Sequence, residues 1–203
     1  MEYSVSDAAD RNKAPILKII ATEFAHTRRV LEIGSGTGQH AVHFAAHLPH
    51  LAWQPSELEE QLGPLAERIR LEGRSNLRAP IALDARDHPW RVTPVDAVFS
   101  ANTLHIMAWS AVRAFVRGVA GALTAPGVLC VYGPFRFQGQ YTSDSNAQFD
   151  AYLKARDPVS GIRDFEALEA LARAHGLVFA ADHAMPANNR LLVWRRPPGA
   201  RLA

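Results

Sequence analysis

Apolar runs and amphipathic segments alternate along almost the whole chain. Lys13 to His26 places Ile16, Leu17, Ile20 and Phe24 at helical spacing, with Pro15 tolerable in the first turn. Arg29 to Ile33 reads as a first strand. Gln39 to Leu48 returns to helical spacing, with Ala41, Phe44, Ala45 and Leu48 on one face and Pro49 as its stop. Leu51 to Gln54 is a second strand, and Ser56 with Glu59 forms a capping-box pattern for the next helix, which Gly63-Pro64 breaks and Leu65 to Leu71 resumes. Leu77 to Leu83 and Val95 to Ser100 are the third and fourth strands. Ser110 to Leu123 is helical, with Val112, Phe115, Val116 and Val119 on one side, and Gly127 to Tyr132 is the fifth strand. Asp164 to His175 is a helix ended by Gly176, and Leu177 to Ala181 and Arg190 to Trp194 are the closing strands. Strands interleaved with helices predict an α/β three-layer sandwich around a seven-stranded, mostly parallel sheet, in which the final pair adds an antiparallel strand. One domain is expected over 1–203, with an N-terminal cap segment 1–27. An insertion at 133–163 is irregular apart from a short helix around Ala147 to Ala155.

The most informative stretch lies where the first strand ends. Val30-Leu31-Glu32-Ile33 is followed by Gly34-Ser35-Gly36-Thr37-Gly38 and then by Gln39-His40. Glycines at every second position permit positive φ and let a ligand approach the backbone. The dinucleotide fingerprint is G-x-G-x-x-G, but here the third glycine comes one residue early. Glu32 also places an acid two residues before the first glycine, where a dehydrogenase strand is usually apolar. A carboxylate there suits a ligand with a cationic amino-acid end, with Ser35 in the turn beside it. The stretch resembles the first motif of Rossmann-like S-adenosylmethionine-dependent methyltransferases. The competing readings are an NAD(P)-dependent oxidoreductase and a non-catalytic protein that holds a cofactor as scaffold or sensor.

In such a sheet, ligands sit outside the carboxyl ends of the strands. Glu57 follows the second strand nineteen residues beyond Gly38, near the ~20 expected of an acid that binds ribose hydroxyls. It could instead complement a helix N-terminus. Asp84-Ala85 follows the third strand, where folds of this kind usually place an acid against an adenine amino group; Asp87 competes for that role, and either could be a loop cap. Asn102 follows the fourth strand in Ser100-Ala101-Asn102-Thr103-Leu104-His105, where an acceptor and a methyl group would meet. Asn/Asp-Pro-Pro-aromatic, common in enzymes that methylate amide or adenine nitrogens, is absent there. His105 is the candidate general base, or else a positioning donor.

Two further segments have paired readings. Arg11-Asn12 could fold over the site, with Arg11 gripping a carboxylate through a bidentate pair, or could be a surface cap. The insertion is rich in aromatic residues, which suits a substrate lid, a satellite hydrophobic cluster or a dimer contact. Topology then predicts that His105, Arg11, Asn12, Tyr141 and Asn188 converge on one covered pocket for a small polar molecule. His40, His43, His47 and His50 recur at helical spacing, but they lie beside the apolar face, and a solvated histidine face is expected rather than a metal site. Of the four, only His40 is expected to approach the ligand.

The resemblance extends beyond the turn. Ser6 to Leu17, Leu31 to His40, Trp53-Gln54-Pro55-Ser56, Tyr132-Gly133-Pro134-Phe135, Ser145-Asn146 with Phe149-Asp150, and Met185 to Asn189 together are similar to an uncharacterised class I methyltransferase-like family, catalogued mainly as a domain of unknown function. It implies S-adenosylmethionine as cofactor and supplies no substrate. The family often has Asp where this chain has Glu57, so the carboxylate is kept.

Bulk properties narrow the partners. A formal net charge of +2 gives no argument for nucleic acid, and the basic run Arg195 to Arg201 is explained as a solvated tail. No apolar stretch approaches the length of a membrane span. The lone Cys130 sits in an apolar strand, and residues 1–7 lack the pattern of a signal peptide, so a cytoplasmic setting is expected. The expected partner is a small-molecule substrate, with the chain a monomer or homodimer.

Overall fold

The structure is a computed structural model that describes residues 6–199. The first five residues of the expected cap segment, and Ala200 and Arg201 of the basic run, lie outside the described residues.

Ten strands and six α-helices follow in the order α1 (Asp7–Glu23), β1 (Arg29–Ile33), α2 (Gln39–His47), β2 (Ala52–Glu57), α3 (Leu62–Glu72), β3 (Ile81–Ala82), β4 (Val95–Ala101), α4 (Trp109–Ala122), β5 (Leu123–Gly133), β6 (Phe135–Phe137), β7 (Gln140–Tyr141), α5 (Asp144–Arg156), β8 (Arg163–Asp164), α6 (Phe165–Ala174), β9 (Val178–Met185) and β10 (Asn189–Arg196). The main sheet has seven strands in the order β3-β2-β1-β4-β5-β10-β9. Pairing is parallel from β3 through to β5, and β10 runs antiparallel to both of its neighbours.

Period-two alternation sends each strand's side chains to two separate cores. On one face, Ile16, Ile20 and Phe24 of α1 and Phe44 of α2 pack on Val30, Trp53, Phe99 and Leu191. On the other, Phe115 and Val119 of α4 and Leu168 of α6 pack on Leu31, Val98, Leu129 and Trp194. Each fully buried large side chain contributes about 1.5–3 kcal/mol. The three-layer expectation holds, and Cys130 is buried as expected.

Five local expectations need correction. Gly63-Pro64 does not break a helix but lies in the first turn of α3. Helix α1 starts at Asp7, because the Ser6 hydroxyl caps it by accepting from the Ala9 amide at 3.3 Å; Pro15 therefore lies well inside the helix. The capping box at Ser56 does not form. Ser56 remains in β2, paired with Ile33 and Ile81, and its hydroxyl donates to the Glu32 carbonyl at 2.7 Å. The third strand shrinks to Ile81–Ala82, preceded by an isolated bridge between Trp53 and Leu77. The insertion is more ordered than expected, for β6, β7 and β8 form a small three-stranded sheet beside α5.

Candidate functional site

At the carboxyl edge, β1 runs into the glycine turn and α2 leaves it. Gly34, Gly36 and Gly38 have φ of +72°, +55° and +83°. A Cβ on Gly34 would stand 2.8 Å from the Thr103 hydroxyl, so the glycine allows the post-β4 loop to close against the turn. A Cβ on Gly36 would meet nothing within 4 Å, which leaves that side of the turn open to a ligand.

Two cavities adjoin this turn. One, of about 250 Å³, is lined by the Gly34–Thr37 backbone, Gln39, His40, Asn102 and Ser6 at the start of α1. The other, of about 380 Å³, is lined by Leu58, Leu83, Asp84, Ala85, Met107 and Ala111. Gly34, Glu57, Thr103 and Ile106 line both, so the two adjoin over the turn and are joined at these residues. A larger groove of about 830 Å³ continues past Asp84 along the β3 edge, with acids and arginines mixed along it.

The predicted residues fall into three groups. Gly34, Ser35, Gly36, Glu57, Asp84, Ala85 and Asn102 line the joined space. Glu57 caps the turn from below: one carboxylate oxygen accepts from the Gly36 amide at 2.8 Å and the other from the Leu58 amide at 2.9 Å. Each oxygen retains a lone pair for a further donor. Asp84 is gripped by the guanidinium and amide of Arg86, which hold its carboxyl below the usual range. Asn102 is held at φ +58° while its amide donates to the Tyr132 carbonyl at 2.9 Å.

The second group supports the turn from behind. Alternation puts Glu32 on the same face as Val30, in the core under the glycines, where it is 1% exposed and accepts from the Trp53 indole at 2.8 Å. Burial pushes its carboxyl up to about 7, against the pull of the Trp53 and Ser35 donors. Glu32 lines neither cavity, so the expected direct contact with an amino-acid end becomes a buried brace. Gly38 likewise faces inward, where a Cβ would meet Leu65 at 2.8 Å.

The third group is the expected acceptor pocket, and the structure does not assemble it. His105, Arg11, Asn12, Tyr141 and Asn188 line neither cavity. His105 is buried edge-on against the Phe149 ring at 5.4 Å, and burial with the nearby Arg163 charge pushes it down to about 4. Arg11 is exposed on α1, two residues past the lining residue Ala9 and so on the opposite side of the helix. Asn12 is buried and pairs with His40 Nε2 at 2.6 Å. Tyr141 donates to Asp150 at 2.6 Å, and the Asn188 carbonyl accepts from Asn146 at 3.1 Å. The Asn12 and Tyr141 side chains are thus taken up by internal bonds of the cap and the insertion, and Asn188 contributes its backbone carbonyl.

His40 does reach the cavity. The histidine row is not uniformly solvated, however, because His40 stacks on Phe44 at 5.3 Å and burial pushes it down to about 4. Among the described residues, no three His, Cys, Asp or Glu side chains are grouped to hold a metal ion, and no helix is long and apolar enough to cross a membrane. Thr103, Ile106 and Gln39 were missed by sequence reasoning. Gln39 could have been found by its place after the last glycine: its side chain accepts from the Ser6 amide at 2.6 Å and returns a bond to the Ser6 carbonyl, docking the cap on the turn.

Three solved structures show where this architecture recurs. An O-methyltransferase family protein from Burkholderia thailandensis superposes with a TM-score of 0.81 at 17% identity, over 93% of this chain and 57% of that one. PigF with SAH superposes at 0.76 and 18% identity, over 90% of this chain and 55% of that one. Human N-acetylserotonin methyltransferase in complex with SAM does so at 0.75 and 13% identity, over 91% and 51%. The chain thus spans little more than half the length of these proteins, and the likeness establishes the class I methyltransferase fold. The family model described as "Protein of unknown function (DUF938)" matches residues 3–196.

Proposed function

The chain belongs to the DUF938 family, and on that premise we propose that it is an S-adenosylmethionine-dependent methyltransferase acting on a small molecule. The observation that carries the reading is the joined space at the carboxyl edge. Its two halves, about 250 and 380 Å³, meet at Gly34 and Glu57, as an amino acid and a nucleoside linked through one sulfur require. The residues present fit that group. Gly36 leaves the turn open on its ligand side, Glu57 offers lone pairs where ribose hydroxyls would lie, and Leu58, Ala85 and Met107 line the half suited to a flat base. Asp84, which lines the same half, would meet the base's amino group. The Gly34–Thr37 backbone and neutral His40 line the amino-acid half.

When bound, the cofactor supplies an electrophilic methyl group on a sulfonium centre. The protein's work is to place an acceptor in line and to exclude water. The acceptor would arrive beside Asn102 and Ile106, where the post-β4 loop borders both halves. His105 belongs to that loop, but its ring packs on Phe149 and lines neither cavity, so in this reading the transfer rests on proximity and His105 has no role as base.

Calorimetry with adenosylhomocysteine and with NAD, on the parent and on Gly36→Val, tests the reading. Adenosylhomocysteine should bind the parent and lose at least about tenfold (1.4 kcal/mol) in affinity on Gly36→Val, since the added side chain enters ligand space at a positive φ. NAD should not bind. Preference for NAD, or equal adenosylhomocysteine affinity in the variant, would overturn the assignment. Binding without methyl transfer to any member of a metabolite library would leave a scaffold or sensor in its place.

A further inference from the structure

The opposite edge of the sheet holds a cavity of different character. It has a volume of about 320 Å³ and lies where β1, β2 and β4 begin, beside the approach to β3. It exists because the connection from β3 to β4, residues 83–94, carries no helix. Crossovers between parallel strands usually carry one, and without it part of this sheet face is covered by loop alone.

Three arginines from three separate segments line this cavity: Arg29 at the first residue of β1, Arg78 before β3, and Arg91 in the β3–β4 connection. All three are exposed. No Asp or Glu is among the lining residues. Among the described residues, none of the three guanidiniums takes part in an ion pair or hydrogen bond. The acid next to Val95 is Asp96, whose two oxygens accept from the backbone amides of Arg28 and Arg29 at 2.7 and 2.6 Å. The rest of the wall is largely apolar and includes Ile81 and Val92.

Three like charges around one cavity repel one another, and among the described residues no carboxylate lines that cavity. Guanidinium forks match carboxylate and phosphate oxygens in pairs, while the apolar wall suits an uncharged body. We propose that this cavity is a binding site for a small organic anion, a carboxylate or phosphate joined to an apolar body. The site is distinct from the methyl-transfer space and does not depend on that assignment.

Phenyl phosphate and benzoate separate the two anion chemistries, and phenol is the uncharged control. Titrated into the ¹⁵N-labelled chain, at least one of the two anions should move the amide resonances of Arg29, Arg78, Ile81 and Arg91, with binding that weakens as sodium chloride rises. Phenol should leave them in place. Arg78→Gln/Arg91→Gln should melt with the parent and bind the anion at least about tenfold more weakly, a 1.4 kcal/mol loss. The salt titration of the parent carries the test without the variant. The proposal is overturned if neither anion moves these resonances, if phenol moves them equally, if binding ignores salt, or if a folded double variant keeps the parent's affinity.

Discussion

The glycine turn and the insertion after β5 are both polar regions at the functional edge of one sheet, yet they are built in opposite ways. The turn bonds its Ser35, Gly36 and Gly38 amides but keeps acceptor capacity and space beside them. Gly36 faces open space, and Glu57 uses one lone pair on each oxygen for a backbone amide and leaves the others free. The insertion uses its chemistry on itself. Buried Asp150 accepts from the Ile162 amide and the Tyr141 hydroxyl at 2.6 Å each and from Lys154 at 2.5 Å. Arg163 donates to the carbonyls of Leu104, Met107 and Val159, and the Gly161 amide donates to the His105 carbonyl. Polar residues near a functional edge therefore mark a site only where their hydrogen-bonding capacity is left over.

The sharpest way to break this contrast is to cut the insertion at its centre. Asp150→Ala leaves the Tyr141 hydroxyl, the Ile162 amide and the Lys154 ammonium without their acceptor. It should cost about 3–5 kcal/mol of stability, read by urea denaturation. Adenosylhomocysteine affinity should change by less than about threefold, or 0.65 kcal/mol, in the fraction that stays folded. A large loss of affinity at unchanged stability would place the insertion inside the cofactor site and erase the distinction.

How much could be read from the chain follows the same division. The turn was legible because its signal is local: an apolar strand, an acid and alternating glycines fix φ and face within a few residues. Seven main-sheet strands and the antiparallel β10 were legible from periodicity. The acceptor pocket was not, because Tyr141, Asn188 and Asn12 each have two possible fates at the same edge, ligand contact or internal bond. Which one they take depends on partners distant in sequence, such as Asp150, Asn146 and His40. Glu32 was also read as a ligand contact. Its strand position was right, but alternation along β1 turns it into the core on the Val30 face, where the Trp53 indole of the neighbouring strand donates to it. Ser56 shows the limit for boundaries: a capping pattern lost to the pairing of β2 with β1 and β3.

Glu32 also sharpens the comparison through pH. Its native carboxyl titrates near 7, and its ordinary value is 4.5. The native chain therefore holds a proton there that the unfolded chain releases, and stability from this group falls as pH rises from about 4.5 to about 7. His40 and His105 act in the other direction. Both are pushed down to about 4 from 6.5, so the unfolded chain takes up more protons between those values, and their contribution is lost as pH falls through that window. Glu32→Gln keeps an oxygen for the Trp53 indole and removes the first slope alone. By pH 8 the variant should exceed the parent by as much as roughly 3 kcal/mol, while at pH 4.5 the two should nearly coincide. Parallel stability profiles across this range would mean that Glu32 is already ionised in the folded chain and belongs with the open, ligand-facing group.

The smallest effect bears on the turn's own division of labour. Glu57 supports the Gly36 amide and is also assigned to the ribose hydroxyls, and a single substitution cannot separate the two roles. Glu57→Gln replaces one acceptor oxygen with a donor, and adenosylhomocysteine affinity should fall by about 1–2 kcal/mol. Repeating the measurement with the 2′,3′-dideoxy analogue completes a cycle. If Glu57 binds the hydroxyls, the analogue should bind the parent more weakly than adenosylhomocysteine does, yet lose little further on Glu57→Gln. If Glu57 acts only by holding the turn, both ligands should lose affinity equally. Equal losses would move Glu57 to the side of the molecule where polar groups serve the fold, and the proposed cofactor contacts would then rest on the other residues that line the space, Asn102 and Asp84 among them.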